Sequence, residues 1–381
     1  MEKTTQNKMR EYTDKYFLRS KEILKAKELN PWVNMQVFVR TGPGKTAGIN
    51  EAVNLIMENS DIAAQGGRIY AKGDGVDYAP SETQMNIVAP IQSIIELETV
   101  YLGPIAAGVT RENDGKDLDF NAIGQQMRQV VDLAGDRPVL YFGARHWHWT
   151  YDSALANLAF ENGCAAVATD NGARPRGKEG VGTIPHALEN VFAYYYGREN
   201  AVVESTRAFD EVIDLSVPRI ALVDYNNRES TDTLNTAVAL EGRLTGVRVD
   251  TCGENLAEGG QMGNRKYWQG KGVTVEGVYA LRKRLNEEGH EGVGIILSSG
   301  FSNPEKVKAF NDGEAKYGMP LYTGIGAGFL DGIRTATADV VAVGETRDMV
   351  DFYTGNGVEA KNVVHKVGRP PRLNKSLRRV A

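Results

Sequence analysis

The chain has 381 residues, with 44 Lys+Arg against 49 Asp+Glu, a formal net charge of −5, 41% hydrophobic residues and two cysteines. That is enough chain for two domains, and the acidic balance argues against nucleic acid as the default partner. Two cysteines with no histidines at finger spacing make no tetrahedral zinc site. No apolar run reaches the about 18 residues of a membrane span, and MEKTTQNKMR has no signal-peptide core, so no membrane partner and a cytoplasmic setting are expected.

Residues 1–10 are polar and expected to fray. Thr13-Asp14 reads as the cap of a helix from Lys15 to Leu29, with Tyr16, Phe17, Ile23 and Leu24 on one side. Val33 to Arg40 alternates like a half-buried strand and stops on Arg40. The turn from Thr41 to Lys45 is too short for a P-loop. A helix over 48–59, short strands near 67–72, 77–81 and 85–89, an apolar helix from Ile91 to Leu102 and a helix from Asn121 to Leu133 complete a small α+β layer.

From Arg137 the texture changes. Strand-like runs recur at 137–142, 164–169, 219–224, 246–250, 293–298, 320–324 and 339–343. Most are separated by helical stretches, at 151–161, 187–196, 231–243, 275–288, 303–317 and 328–336. This alternation predicts an α/β fold: an irregular β/α barrel over 137–344, and a second, smaller α+β sandwich-like domain built from 1–136 and 345–381.

In such barrels the chemistry sits at the carboxyl ends of the strands. Here those ends read Arg145, Asp170, Asp224, Asp250, Ser298-Ser299-Gly300 and Gly324-Ile325-Gly326. Cations, carboxylates and bare backbone amides on one rim suit a phosphorylated sugar: glycine turns offer N–H groups to phosphate, and carboxylates hold hydroxyls or Mg²⁺. His186 follows Gly182-Thr183-Ile184-Pro185 at a helix start, after a loop carrying Arg174, Arg176 and Lys178, where a triphosphate would find cations. His146 and His148, if on a strand, would share a face, but no third metal ligand accompanies them and the metal ligands stay unassigned.

Phe142-Gly143-Ala144-Arg145, Thr169-Asp170, Gly182 through Leu188, Arg248-Val249-Asp250-Thr251 and the two glycine turns together resemble the nicotinate phosphoribosyltransferase family, in its compact archaeal-type branch. The resemblance implies phosphoribosyl transfer from phosphoribosyl pyrophosphate (PRPP) to nicotinate, with Mg²⁺ as cofactor and ATP as co-substrate that phosphorylates His186. It implies His186, Asp250 and Arg145 as catalytic residues, and Tyr16, Phe142, Arg145, Asp170, Asp224, Arg248 and Asp250 around the ring and ribose. Ser299, Gly300, Gly324, Gly326, Arg40, Arg369 and Arg372 would hold phosphates. Tyr16, Arg40 and the basic tail would come from the second subunit of a homodimer with shared sites.

Two departures from the family pattern stand out. Ala327 replaces the hydroxyl that usually follows the second glycine turn, and Asp170 stands where nicotinate-using members carry serine or threonine. Nicotinamide or another pyridine as acceptor, or a non-catalytic barrel that binds a phosphoribosyl ligand, therefore remain alternatives.

Overall fold

The computed structural model describes residues 9–354 and 357–381; the polar start at 1–8 lies outside them. The N-terminal part contains strands β1 (Trp32–Val39), β2 (Gly44–Lys45), β3 (Arg68–Ala71), β4 (Asp77–Tyr78) and β5 (Thr83–Pro90). The middle contains β6 (Val139–Tyr141), β7 (Ala166–Val167), β8 (Ile220–Leu222), β9 (Gly246–Val249), β10 (Gly294–Leu297) and β11 (Gly324–Ala327). The chain ends with β12 (Ala336–Gly344) and β13 (Arg378–Arg379).

β7-β6-β11-β10-β9-β8 form a six-stranded sheet whose neighbours all run parallel. It is curled but open: β7 and β8 are its edges and do not pair with each other. Helices Asp152–Glu161, Glu229–Ala239, Val275–Glu287 and Pro304–Tyr317 fall between successive strands, as the alternation predicted. Their apolar sides and the sheet share one core that includes Met127, Leu155, Val247, Ile295, Phe310 and Ile325. The strands are short, apolar and mostly buried, as a covered parallel sheet requires.

A second, antiparallel sheet runs β12-β1-β5-β3-β13. Here the sequence reading needs correcting: the run at 339–343 is not a barrel strand but part of β12, paired with β1 from Trp32↔Gly344 to Val39↔Ala336. The expected helix at 328–336 is absent, replaced by the turn that carries the chain from β11 into β12. A long antiparallel partner offers β12 a hydrogen-bond ladder that outweighs helix propensity over a few residues. The sheet packs with helices Lys15–Ala26, Ile49–Asn59 and Glu98–Asp114 in a second core containing Phe17, Ile23, Val37, Ile87, Tyr101 and Ile105. That core also takes in Ile184, Leu188, Val191 and Leu222, so the two sheets are welded together beside the open edge at β8.

Thr13-Asp14 does not cap its helix by side-chain bonding. Thr13 Oγ1 donates to Glu96 O (2.6 Å), and the Asp14 carboxylate accepts from Thr99 Oγ1 (2.8 Å). These contacts fasten the first helix to the Glu98–Asp114 helix, while Lys15 N donates to Ala168 O (2.8 Å) at the end of β7. The first helix is thus held over the mouth of the parallel sheet. No helix among the described residues is long and apolar enough to cross a membrane.

Candidate active site

The strand ends of the parallel sheet and the antiparallel sheet enclose a cavity of about 730 Å³. Tyr16, Arg40, Phe142, Arg145, His186, Arg248, Asp250, Ser299, Gly300, Gly326 and Arg369 all line it. Residues from the first helix, β1, four barrel strand ends and the tail therefore converge in one chain. Tyr16, Arg40 and Arg369, expected at a site shared between subunits, line the cavity of their own chain.

One part of the lining is a glycine turn. After β10 the chain turns through Ser299 and Gly300, both left-handed (φ 68° and 81°), with Ser298 Oγ buried and without a partner. Adjacent Gly326 allows close approach: a Cβ there would stand 2.6 Å from the Phe142 ring and 3.1 Å from Ser298 Oγ. Gly324, expected beside it, instead opens β11 opposite Ile296 and faces Pro138, outside the cavity.

A second part of the lining holds His186, the first residue of the helix His186–Tyr196. Its Nε2 lies 3.0 Å from Oδ1 of the fully buried Asp224, whose Oδ2 is held by Lys366 from the tail. Burial opposes ionisation of Asp224, but Lys366 and His186 outweigh it and hold the carboxyl below its ordinary range. Burial, reinforced by Lys366, lowers the His186 pKa, so the imidazole is neutral at neutral pH. Asp224 therefore lies beneath His186 and not on the cavity surface where it was expected. Arg369 follows Lys366 into the cavity, and its Nη1 is buried without a hydrogen-bond partner.

Also lining the cavity, Arg145 Nη1 sits 3.4 Å from Glu98 Oε1. Burial raises the Glu98 pKa to about 8 against the pull of Arg145. Arg248 pairs with Asp250 at 2.7 Å on the same rim. His146 lines the cavity beside Gly328, and burial followed by the Arg145 charge pushes its pKa down to about 3.

Several expectations change. Asp170 does not line the cavity: its carboxylate is taken by Lys15 Nζ (2.9 and 3.0 Å) and the Gly180 amide (2.9 Å). The loop cations also turn away from His186. Arg174 pairs with Glu11 at 2.7 Å, while Arg176 and Lys178 lie over the Phe160 ring. Arg372 stacks its guanidinium on Phe38 (4.6 Å) outside the cavity. His146 and His148 lie in and beside a short 3-10 turn and separate, His148 bonding Glu51 at 2.8 Å. The sequence reading missed Glu98 as a cavity residue, Lys366 as the partner of Asp224, and Asp339, which lines the cavity with a buried, unpartnered Oδ2. None of the three carries a local motif: Glu98 opens the helix Glu98–Asp114, Asp339 lies in β12 and Lys366 in the tail.

No protein-family model matches the sequence, and no curated protein sequence does. Among solved structures, a Saccharomyces cerevisiae protein described as a nicotinate phosphoribosyltransferase superposes with a TM-score of 0.64 at 13% identity, covering 88% of this chain and 91% of its own. Porphyromonas gingivalis nicotinate phosphoribosyltransferase gives a TM-score of 0.60 at 13% identity, covering 94% and 92%. Nicotinate-nucleotide pyrophosphorylase from Pyrococcus furiosus shares 26% identity over 97% of this chain and 82% of its own, with a TM-score of 0.45. This chain has the fold of the nicotinate phosphoribosyltransferases.

Proposed function

We propose that the protein transfers the phosphoribosyl group of PRPP to the ring nitrogen of nicotinate, releasing pyrophosphate, and that ATP drives the reaction by phosphorylating His186. The observation that carries this reading is the cavity lining: a left-handed Ser299-Gly300 turn, and His186 on a buried Asp224–Lys366 pair. A phosphoribosyl donor has a phosphate at one end and a pyrophosphate at the other, and the lining offers a glycine turn for one and a cluster of cations with His186 for the other.

The roles follow from chemistry. The ring would lie between Tyr16 and Phe142, with its carboxylate on Arg145. At neutral pH Glu98 is largely protonated, which leaves the Arg145 charge to the ligand. Asp250, braced by Arg248, is available to ribose hydroxyls or to Mg²⁺. Among the described residues no group of three or more His, Cys, Asp or Glu could hold a metal ion. Mg²⁺ is commonly bound by one or two carboxylates together with substrate phosphates, so Asp250 would hold it, and it would neutralise the leaving group. Arg40, Lys366 and Arg369 add fixed positive charge as the C–O bond to pyrophosphate breaks.

For the phosphoryl step, the ionised Asp224 requires the proton on Nε2, leaving the Nδ1 lone pair free. Nδ1 would attack the γ-phosphorus of ATP, forming an N–P bond as the bond to the ADP oxygen breaks. The Nε2 proton stays shared with Asp224, which stabilises the cation that forms on the ring. Nicotinate is favoured over nicotinamide because the aspartate that would accept a carboxamide hydrogen bond, Asp170, is occupied by Lys15. The test is mass-resolved product analysis with PRPP and nicotinate, nicotinamide or quinolinate in turn, with and without ATP. Nicotinate mononucleotide as the main product, increased by ATP, supports the reading; a different mononucleotide changes the acceptor.

A further inference from the structure

The Ser298–Gly300 turn is held in a conformation that its residues do not favour. Ser299 is a non-glycine residue at φ 68°, followed at once by Gly300 at 81°. Such a conformation persists where surroundings enforce it, and such sites cluster at ligand clamps. Lys306, in the first turn of the helix Pro304–Tyr317, braces it. Its Nζ donates to Ser299 O at 2.7 Å and lies 4.4 Å from the centre of the Phe301 ring. The residue is only 8% exposed, and a Cβ on Gly300 would come within 3.7 Å of the ammonium. The charged group that acts on it is Asp250, at the end of the neighbouring strand β9.

A buried ammonium whose acceptor is a neutral carbonyl lacks a full counter-charge. Lysine is rarely buried without one. Burial accordingly draws its pKa down to about 8, with Asp250 opposing, and leaves it mostly charged at neutral pH. The missing counter-charge is what an anion on the cavity side of the turn would supply. Ser298 Oγ, buried and unpartnered on that side, points to the same conclusion independently. The ammonium sits under the floor of the turn, so it can set the peptide orientation and add its field without itself occupying the ligand's space.

We propose that Lys306 is a positioning residue for the phosphomonoester end of the substrate: bonded to Ser299 O, it fixes the left-handed turn and supplies the positive charge that makes the turn a phosphate cradle. The inference rests on the proposed phosphoribosyl transfer and deepens it. It assigns the single phosphate of the donor to the Ser298–Gly300 wall and the pyrophosphate to the His186 wall.

The test compares Lys306→Met and Lys306→Arg with wild type. Steady-state KM is measured for PRPP and nicotinate, and competitive inhibition by ribose 5-phosphate and by pyrophosphate. Lys306→Met should raise the KM for PRPP and weaken ribose 5-phosphate inhibition tenfold or more, with nicotinate KM and pyrophosphate inhibition within threefold; Lys306→Arg should recover part of the loss. Equal losses for both inhibitors, or none, would overturn the assignment. Binding of ribose 5-phosphate and pyrophosphate by calorimetry supplies the same comparison if Lys306→Met turns over too slowly. Wild type that makes no mononucleotide from PRPP would instead overturn the proposed function, a separate outcome.

Discussion

Asp224 stands beneath His186 with Oδ1 3.0 Å from the imidazole Nε2, and its other oxygen is held by Lys366 from the far end of the chain. This contact fixes which nitrogen can react and links the tail to the chemistry. Replacing His186 with Ala should abolish transfer of radiolabelled γ-phosphate from ATP to the protein and remove ATP stimulation, while PRPP-dependent product formation persists at a lower rate. Asp224→Asn should lower the ATP-stimulated rate by about a hundredfold or more, the usual scale for losing an acid–base partner. Equal labelling of wild type and His186→Ala would remove His186 from the mechanism.

The same pair makes a stability prediction. Asp224 and Lys366 are 0% and 4% exposed, so Asp224→Asn leaves a buried ammonium without its counter-ion. The expected cost is about 3–5 kcal/mol, read as a shifted denaturant midpoint. Adding Lys366→Met should recover part of it. A double variant no more stable than Asp224→Asn would show that the ion pair is not what the single variant disrupts.

Glu98 predicts a pH dependence. Its folded pKa is raised from 4.5 to about 8, so the protonated form dominates at neutral pH and is lost as pH rises through about 8. Ionised Glu98 would compete with the substrate carboxylate for Arg145 and repel it. The KM for nicotinate should therefore climb above pH 8 in wild type and lose that limb in Glu98→Gln. The same group also stabilises the fold most below its unfolded pKa, and that contribution fades as pH rises through about 8. An unchanged KM profile in Glu98→Gln would separate Glu98 from the ring site.

Asp170 is where the sequence misled most instructively. At a strand end beside Thr169 it looked like a ring contact, and by like-charge repulsion an obstacle to nicotinate. Its carboxylate is instead neutralised by Lys15. A helix that crosses from the other domain decides this, and a strand-end motif carries no record of it. Asp170→Ser should change the ratio of kcat/KM for nicotinate over nicotinamide by less than threefold; a reversal of preference would return Asp170 to the ring.

Other parts were legible for physical reasons. Arg145, Asp250, Ser299, Gly300 and Gly326 could be brought together because parallel strands deliver their carboxyl ends to one rim. The elements that span the two sheets were not. The β12 run has the same Val- and Ala-rich texture as a barrel strand, and only its pairing with β1 tells them apart. Lys366 sits in a segment without periodicity, fixed by Val367 N donating to Tyr225 O (3.1 Å) and Asn255 Nδ2 donating to Val367 O (2.9 Å). Such long-range contacts leave no local pattern.

The convergence of Arg40 and Asp250 on one cavity within a single chain can be tested by mixing. With both carried by the same chain, inactive Arg40→Ala and inactive Asp250→Ala should restore nothing together once subunit exchange is verified. Recovered activity would mean that one chain completes the other's cavity.

The most direct measurement is phosphorus NMR of wild type with PRPP, before and after nicotinate is added. The account predicts that PRPP stays intact until nicotinate is present, then gives pyrophosphate and nicotinate mononucleotide in equal amounts, faster with ATP. PRPP that binds but remains intact with nicotinate, nicotinamide and quinolinate alike would contradict it and leave a phosphoribosyl-binding barrel without transferase activity.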